Sequence, residues 1–273
     1  MAEFEVRDIA YREVDGVSLL GRLYRPRGTD PCPLLVDVHG GAWISGDRLN
    51  NAVIHEALAA EGIGVFAIDF RMPPAARYPA AVQDVNFAIR WARRNAAQLG
   101  TTAELIGGMG TSSGGHLLAL NALRPEDEAW RAGVEQAPDA TLACMVACWP
   151  ILDPLARLVM ARQKNLANLI SAHAAFWPDE ASMAYANPQL IVERGECQSK
   201  PRLLVLQGTA DANVEPARAS SFAQRYRGAG GDVTLHMFDG EPHAFMLNKP
   251  APAFAEAFAL IRTFVRQSLP AQR

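Results

Sequence analysis

Short blocks of consecutive apolar residues, alternating with longer amphipathic segments, constrain the fold of this 273-residue chain more than any other feature. Strands of a parallel sheet that is covered on both faces have this appearance, because neither face of the strand meets water. We therefore predict an α/β fold with a mostly parallel central sheet of about eight strands, covered by helices on both faces. The central blocks are Pro33–Val38, Gly64–Phe70, Ala103–Met109, Ala140–Trp149, Leu203–Gln207 and Val233–Phe238.

The first part of the chain has a different pattern, typical of an antiparallel hairpin. Two strand-like segments, Glu3–Val14 and Val17–Pro26, are separated by Asp15 and Gly16. An Asp-Gly pair favours the tight turn that joins neighbouring antiparallel strands. We expect this hairpin to complete one edge of the sheet. Since no repeat or low-complexity linker follows, residues 1–273 are predicted to form a single domain.

One long segment interrupts the alternation of strands and helices. No strand pattern occurs between Asp153 and Pro188, where apolar residues are mixed with few charges. An insertion after the carboxyl end of a strand lies over the edge of the sheet where α/β proteins bind ligands. Residues 154–188 are therefore predicted to form a small helical cap. The alternative is an ordinary pair of core helices with no part in binding.

Composition excludes several classes of partner. The formal net charge is −3, which does not favour a nucleic-acid partner because phosphate binding needs a concentrated basic surface. The most apolar stretch, Leu142–Leu152, is about half the length that a membrane span requires. The segment Met1–Arg7 lacks the pattern of a secretory signal, and the four cysteines are scattered, so we expect reduced thiols and a cytoplasmic location.

Metal and cofactor sites are not predicted. The six histidines are dispersed, and no pair has the spacing of metal ligands. We therefore expect no metal and no cofactor.

The sharpest motif is GTSSG at residues 110–114, which directly follows a predicted strand and directly precedes an apolar helix. A G-x-S-x-G sequence at such a junction forms a sharp turn that holds its central serine above the sheet. The glycines leave room for the turn, and the serine lies next to the positive end of the helix. Ser112 is therefore the candidate nucleophile. Ser113 is not, because Thr111 would occupy the position that requires glycine.

A second motif, HGGAW at residues 39–43, follows the predicted strand that ends at Val38. Consecutive glycines allow backbone N–H groups to approach a ligand closely. Acyl transfer needs such donors at the oxygen that becomes negative in the tetrahedral intermediate. We predict an oxyanion hole formed by the N–H groups of Gly40, Gly41 and Ser113.

Together these motifs resemble the α/β-hydrolase fold, and more narrowly the esterases and lipases of the hormone-sensitive-lipase-like and related carboxylesterase or acetyl-esterase groups. The segments Asp69–Arg71 (DFR), Tyr78–Asp84 (YPAAVQD) and Ser112–His116 (SSGGH) are also similar to that group. In the oxyanion motif, Ala42 and Trp43 replace a third glycine. His-Gly-Gly-x-Trp is also similar to arylformamidases of the kynurenine pathway, so the choice between ester and amide substrates stays open.

The resemblance implies a catalytic triad in the chain order Ser, Asp or Glu, His. Asp211, four residues after the strand Leu203–Gln207, is the predicted acid, and His243, after the last strand, is the predicted base. The imidazole would take the proton of the serine, and the carboxylate would orient the imidazole. The alternative acids are Asp153, Asp239 and Glu241.

The predicted activity is hydrolysis of small carboxylic esters through an acyl-enzyme. The alternatives are an arylformamidase-like or other amide hydrolase and, more remotely, a ligand-binding protein without catalysis. Since edge strands and exposed helices in such folds often pair, a homodimer is an expected assembly. Aromatic and apolar side chains near the hole and in the cap are predicted to line the substrate pocket: Trp43, Phe176, Trp177, Met183 and Tyr185.

Overall fold

The structure, a computed structural model, describes residues 3–28, 30–131, 133, 138–247 and 252–269. The strands of these residues are β1 (Phe4–Val14), β2 (Val17–Pro26), β3 (Leu34–Val38), β4 (Gly64–Ile68), β5 (Ile106–Thr111), β6 (Cys144–Cys148), β7 (Arg202–Gly208) and β8 (Val233–Phe238). They form one eight-stranded sheet in the order β1-β2-β4-β3-β5-β6-β7-β8. The predicted domain, residues 1–273, extends at both ends beyond the described residues.

The α-helices of the described residues are α1 (Ala52–Ala60), α2 (Ala80–Arg94), α3 (Ser113–Leu123), α4 (Pro154–Gln163), α5 (Ala167–Phe176), α6 (Glu180–Tyr185), α7 (Pro188–Glu193), α8 (Pro216–Gly228) and α9 (Pro252–Ser268).

The sheet has the predicted mixture of strand directions. β1 and β2 form an antiparallel hairpin around Asp15 and Gly16, and β2 pairs with β4, also antiparallel. All pairs from β4 through β3, β5, β6 and β7 to β8 are parallel. The predicted fold class is confirmed.

Apolar side chains on both faces of the sheet explain why its central strands appear in the sequence as runs of consecutive apolar residues. Successive residues of a strand point to opposite faces. Leu34 and Val36 of β3 belong to the core beneath α2, α3 and α8, whereas Leu35 belongs to the core beneath α1 and α9. All three side chains are fully buried.

Some strand boundaries differ from the predicted ones. The strand predicted at Ala103–Met109 begins only at Ile106, because Ala103–Leu105 forms a turn of 3₁₀ helix, and it continues to Thr111. The strand predicted at Ala140–Trp149 is limited to Cys144–Cys148, the residues that pair with β7. Apolar character extends beyond the residues that pair with a neighbouring strand, so it overestimates strand length.

The segment between β6 and β7 is helical, as its sequence pattern indicates. It contains α4, α5, α6 and α7, and it therefore continues to Glu193, beyond the end of the cap insertion predicted over residues 154–188. Proline stands at the first turn of α4 and of α7, and the side chains of Asp153 and Asn187 cap these helices by accepting backbone N–H groups.

Across the described ranges, no helix is both long enough and apolar enough to cross a bilayer.

Candidate active site

The candidate residues lie on loops at one edge of the sheet. Ser112, His39 and the two glycines after it, Asp211 and His243 follow β5, β3, β7 and β8 respectively. β3 pairs with β5 and β7 pairs with β8, and β6 joins the two pairs; all these pairings are parallel, so the carboxyl ends of the strands meet at the same edge. Ligands of open α/β sheets bind at this edge.

Ser112 forms a sharp turn between β5 and α3. Its φ of 51° and ψ of −118° lie in a region that L-residues rarely occupy. Hydrogen bonds to the neighbouring strand end hold the turn: Ser112 N–H donates to Cys148 O (2.9 Å), and Ile151 N–H donates to Ser112 O (3.1 Å). The strained conformation is fixed by backbone contacts on both sides.

Glycine at position 114 is a steric requirement of this turn. A Cβ on Gly114 would lie 2.0 Å from the carbonyl oxygen of Val38 and 2.3 Å from that of His39. Both are backbone atoms of the adjacent strand end, which cannot move aside without disturbing the sheet. The turn and the HGGAW loop are therefore in direct contact.

The structure brings Ser112, His243 and Asp211 into one hydrogen-bonded chain. His243 Nε2 lies 3.0 Å from Ser112 Oγ, and His243 Nδ1 lies 2.7 Å from Asp211 Oδ2. With a neutral imidazole, Nδ1–H donates to the carboxylate and Nε2 accepts from the hydroxyl. This order of groups activates a serine as a nucleophile.

Asp211 is buried and fully hydrogen-bonded. Its Oδ1 accepts from the N–H groups of Asn213 and Val214, each at 2.8 Å, and its Oδ2 also accepts from Gln207 Nε2 at 2.9 Å. Burial by itself raises the pKa of this carboxyl, but the hydrogen bonds from His243, Val214 and Gln207 outweigh it, so the pKa is lowered. The group is a carboxylate at neutral pH.

The alternative acids have other partners. Asp153 caps α4 through the N–H of Ala156 and also accepts from Asn187. Asp239 is exposed and accepts from the hydroxyl of Thr209. The carboxylate that contacts His243 is that of Asp211, and no contact of this kind joins that histidine to Glu241 among the described residues.

The HGGAW loop lies beside the serine. A Cβ on Gly40 would be 3.2 Å from Ser112 Cβ. Gly41 has φ of 121°, and a Cβ there would lie 1.9 Å from the carbonyl oxygen of Ser45. His39 Nδ1–H donates to Gly40 O (2.6 Å), a hydrogen bond within the loop. Only glycine fits position 41, which leaves backbone as the surface next to the serine.

A cavity of about 340 Å³ opens over the serine, and we call it the Ser112 cavity. Gly40, Gly41, Ser112 and His243 all contribute to its wall. Two residues that sequence reasoning missed, Arg157 of α4 and Asn213 after β7, also line it. Trp149, whose ring lies 6.3 Å from that of His243, is a further wall residue without a sequence signal.

The predicted pocket residues lie elsewhere, and this prediction needs correction. None of Trp43, Phe176, Trp177, Met183 and Tyr185 is among the residues that line the Ser112 cavity. The Trp43 and Phe176 rings stack at 5.3 Å, Trp177 packs edge-on against both, and all three side chains are buried. These aromatic residues join the cap insertion to the HGGAW loop as packing.

Met183 and Tyr185 have other surroundings. Met183 lines a separate cavity of about 160 Å³ between the helices of the cap insertion. Tyr185 is 40% exposed, and its hydroxyl donates to Asp127 Oδ2 at 2.9 Å. The spacing of apolar residues along a helix does not reveal which cavity a side chain meets.

His116 connects this aromatic cluster to the turn. Trp43 Nε1–H donates to His116 Nδ1 (3.1 Å), and His116 Nε2–H donates to Ala186 O (2.9 Å). Burial lowers the pKa of His116 to about 4, so its imidazole is neutral. Ser113 completes the connection, because its Oγ accepts from the N–H of Trp43 (3.1 Å).

Within the ranges that the structure describes, no three His, Cys, Asp or Glu side chains are close enough to hold a metal ion.

Comparisons with known proteins agree with this architecture. Residues 22–226 match the BD-FAE family. The chain is 30% identical to Esterase LipC of Mycobacterium tuberculosis over 88% of its own length, and 26% identical to an ethyl acetate hydrolase of Pseudomonas putida, also over 88%. These alignments cover 60% and 76% of the two relatives, so the chain spans about three-fifths of the length of LipC.

Among solved structures, the chain is similar to a thermophilic esterase of Thermogutta terrifontis, Est2, in its propionate-bound form. The TM-score is 0.78 at 25% identity, covering 100% of this chain and 97% of that one. The resemblance to α/β-hydrolase esterases is thereby confirmed, and the match over most of its length shows that the chain belongs to the BD-FAE family.

Proposed function

We propose that the protein is a serine hydrolase that cleaves small carboxylic esters through an acyl-enzyme. The observation that carries the proposal is the position of His243, which lies within hydrogen-bond distance of both Ser112 Oγ and Asp211 Oδ2. Relatives named as esterases and the likeness to a propionate-bound esterase support the choice of ester bonds.

The reaction begins with attack of Ser112 Oγ on the ester carbonyl carbon while His243 Nε2 takes the hydroxyl proton. Asp211 accepts the Nδ1–H bond and stabilises the imidazolium that forms. Collapse of the tetrahedral intermediate breaks the bond to the alcohol oxygen, which takes the proton from His243. A water molecule, deprotonated by the same imidazole, then hydrolyses the acyl-serine and releases the acid.

The oxyanion hole in this proposal consists of the N–H groups of Gly40, Gly41 and Ser113. Gly40 and Gly41 line the Ser112 cavity, and Ser113 is the first residue of α3, where N–H groups point away from the helix. Preorganised donors of this kind contribute several kcal/mol to stabilising the transition state.

The cap insertion, residues 154–188, is proposed to cover the site as part of a single domain. Arg157, Asn168, Leu169 and Ala172 of this segment line the Ser112 cavity. A cavity of about 340 Å³ suits a compact substrate, so we expect short acyl chains to be preferred over long ones.

The test uses p-nitrophenyl esters of increasing acyl length, an N-formyl aryl amide and a fluorophosphonate probe. The wild type is expected to hydrolyse the short esters and to react with the probe, whereas Ser112→Ala should lose turnover by several orders of magnitude. Ser220→Ala, at an exposed position of α8, is the matched control and should behave as wild type. Activity of Ser112→Ala within tenfold of wild type would refute the mechanism, and a large preference for the formamide would refute the ester assignment.

A further inference from the structure

Arg157 is a buried cation in the cap insertion, directed towards the loop that carries the acid. Its side chain is only 3% exposed. Nε donates to the carbonyl oxygen of Asn213 (3.2 Å), and Nη2 donates to the side-chain oxygen of the same residue (2.6 Å). A guanidinium thus binds both acceptors of one residue in a forked arrangement, which fixes the position of that residue.

The residue held in this way is a partner of the triad. Asn213 N–H donates to Asp211 Oδ1, while the other carboxylate oxygen accepts from His243. A continuous set of hydrogen bonds therefore runs from α4 through Asn213 and Asp211 to the imidazole. The guanidinium does not touch His243 or Ser112 in this chain of contacts.

Arg157 also contacts the other side of the site. Its guanidinium carbon lies 5.6 Å from the centre of the Trp43 ring, in the HGGAW loop. Burying a charged arginine costs free energy. Nη1 of Arg157 has no hydrogen-bond partner among the residues that the structure describes, and desolvation lowers the pKa of Arg157 to about 10. The charge is retained at neutral pH, beside the Asp211 carboxylate.

We infer that Arg157 is a positioning residue for the reaction, which holds the acid loop against the HGGAW loop through Asn213 and Trp43. The inference rests on the proposed function, since it assigns a role in the turnover that Ser112, His243 and Asp211 perform. The cap insertion then takes part in the alignment of the triad as well as in covering the cavity.

The physical consequence is a specific pattern of kinetic change. Without the forked contact, Asn213 and the carboxylate that it supports can shift, and the imidazole is no longer held against Ser112. A displacement of about 1 Å in a catalytic constellation costs about 100-fold in rate. The loss should fall on kcat, because both hydrogen bonds of Arg157 are with Asn213, although its side chain also lines the Ser112 cavity.

The experiment compares Arg157→Met, Arg157→Lys and Arg162→Gln. Arg162 lies on the same helix, is exposed and pairs with Glu180, so its variant is the matched control and should keep the wild-type kcat. Arg157→Met should lower kcat by about 100-fold with little change in KM, and should slow fluorophosphonate labelling by a similar factor. Arg157→Lys keeps the charge without the fork and should recover only part of the loss.

A double-mutant cycle with Asn213→Ala identifies the route of the effect. If Arg157 acts through Asn213, the double variant should lose little more than Arg157→Met alone, because Arg157→Met already removes the bond to the Asn213 side chain that Asn213→Ala removes. Thermal unfolding of each variant, with the assay run well below its Tm, separates loss of alignment from loss of folded protein.

Three results would overturn the inference: additive losses in the cycle, an increase in KM at unchanged kcat, or wild-type kcat in folded Arg157→Met. The second result would place Arg157 on the substrate instead. Failure of the proposed function is distinguishable, because in that case the wild type itself would neither hydrolyse the esters nor react with the probe.

Discussion

Replacing His116 by glutamine should make the stability of the protein less dependent on pH. The imidazole is fully buried and hydrogen-bonded in its neutral form between Trp43 and Ala186. Burial lowers its pKa from 6.5 to about 4, so between these values the unfolded chain binds a proton that the folded chain does not. Stability is therefore greatest above pH 6.5 and falls as the pH decreases towards 4.

The magnitude follows from these two pKa values. At pH 5 the unfolded imidazole is almost entirely protonated and the folded one is about nine-tenths neutral, which reduces the free energy of unfolding by about 2 kcal/mol. His173 is also buried, with a pKa lowered to about 4, and adds a similar loss. The lowered pKa of Asp211 does not contribute here, because its effect begins only near and below the ordinary carboxyl value of 3.8.

The assay is urea unfolding at pH 7.5 and pH 5. Between the two, the wild type should lose about 2 kcal/mol more stability than His116→Gln. Trp43→Phe is the control: it removes the indole donor but keeps the titrating imidazole, so it should lower stability at both pH values and retain the steep dependence. An equal pH dependence in wild type and His116→Gln would refute the argument.

Three further outcomes are expected. Gly114→Ala should abolish folding or activity, because the added Cβ would lie 2.0 Å from the Val38 carbonyl oxygen. Gly228→Ala has open space around the added Cβ in α8, so it should leave the stability of the fold unchanged or raise it slightly. Thermal unfolding of the two variants compares these effects. Asp211→Asn should lower kcat by about four orders of magnitude, since an amide cannot orient and stabilise the imidazolium, and near-wild-type turnover would contradict this role. A thiol reagent should modify Cys197 first in the native protein, because the other three cysteines are buried; rapid native modification of all four would contradict the described packing.

The sequence predicted those parts of the fold and site that depend on local pattern. Helix α3 begins at Ser113, immediately after the serine turn, because glycine at positions 110 and 114 leaves room for the close backbone contacts of that turn. The hairpin at Asp15 and Gly16 follows from the preference of an Asp-Gly pair for a tight turn. The parallel direction of the later strands follows from their runs of consecutive apolar residues.

The parts that depend on distant contacts were not predictable from the sequence. Arg157 and Asn213 are 56 positions apart, and nothing in the pattern of α4 indicates that this arginine faces the cavity. The position of Trp43 beside the predicted oxyanion hole suggests a wall of the substrate pocket shared with Phe176 of the cap, yet the two rings pack against each other. The spacing of aromatic residues in the sequence indicates which side chains will be buried. It does not indicate which other side chains they will pack against.

Two hydrogen-bonded contacts of the cap insertion with the elements around Ser112 restrict how this protein can be engineered. Arg157 donates hydrogen bonds to Asn213 in the acid loop, and the carbonyl oxygen of Ala186 accepts a hydrogen bond from the imidazole of His116. A chimaera in which a relative's helices replace the cap insertion would need a cation at the position of Arg157 and a hydrogen-bond acceptor at the position of the Ala186 carbonyl. Substitutions meant to change the substrate range are therefore better made at Ile44 and Leu247. Both residues line the Ser112 cavity and are exposed, and neither takes part in the two hydrogen-bonded contacts.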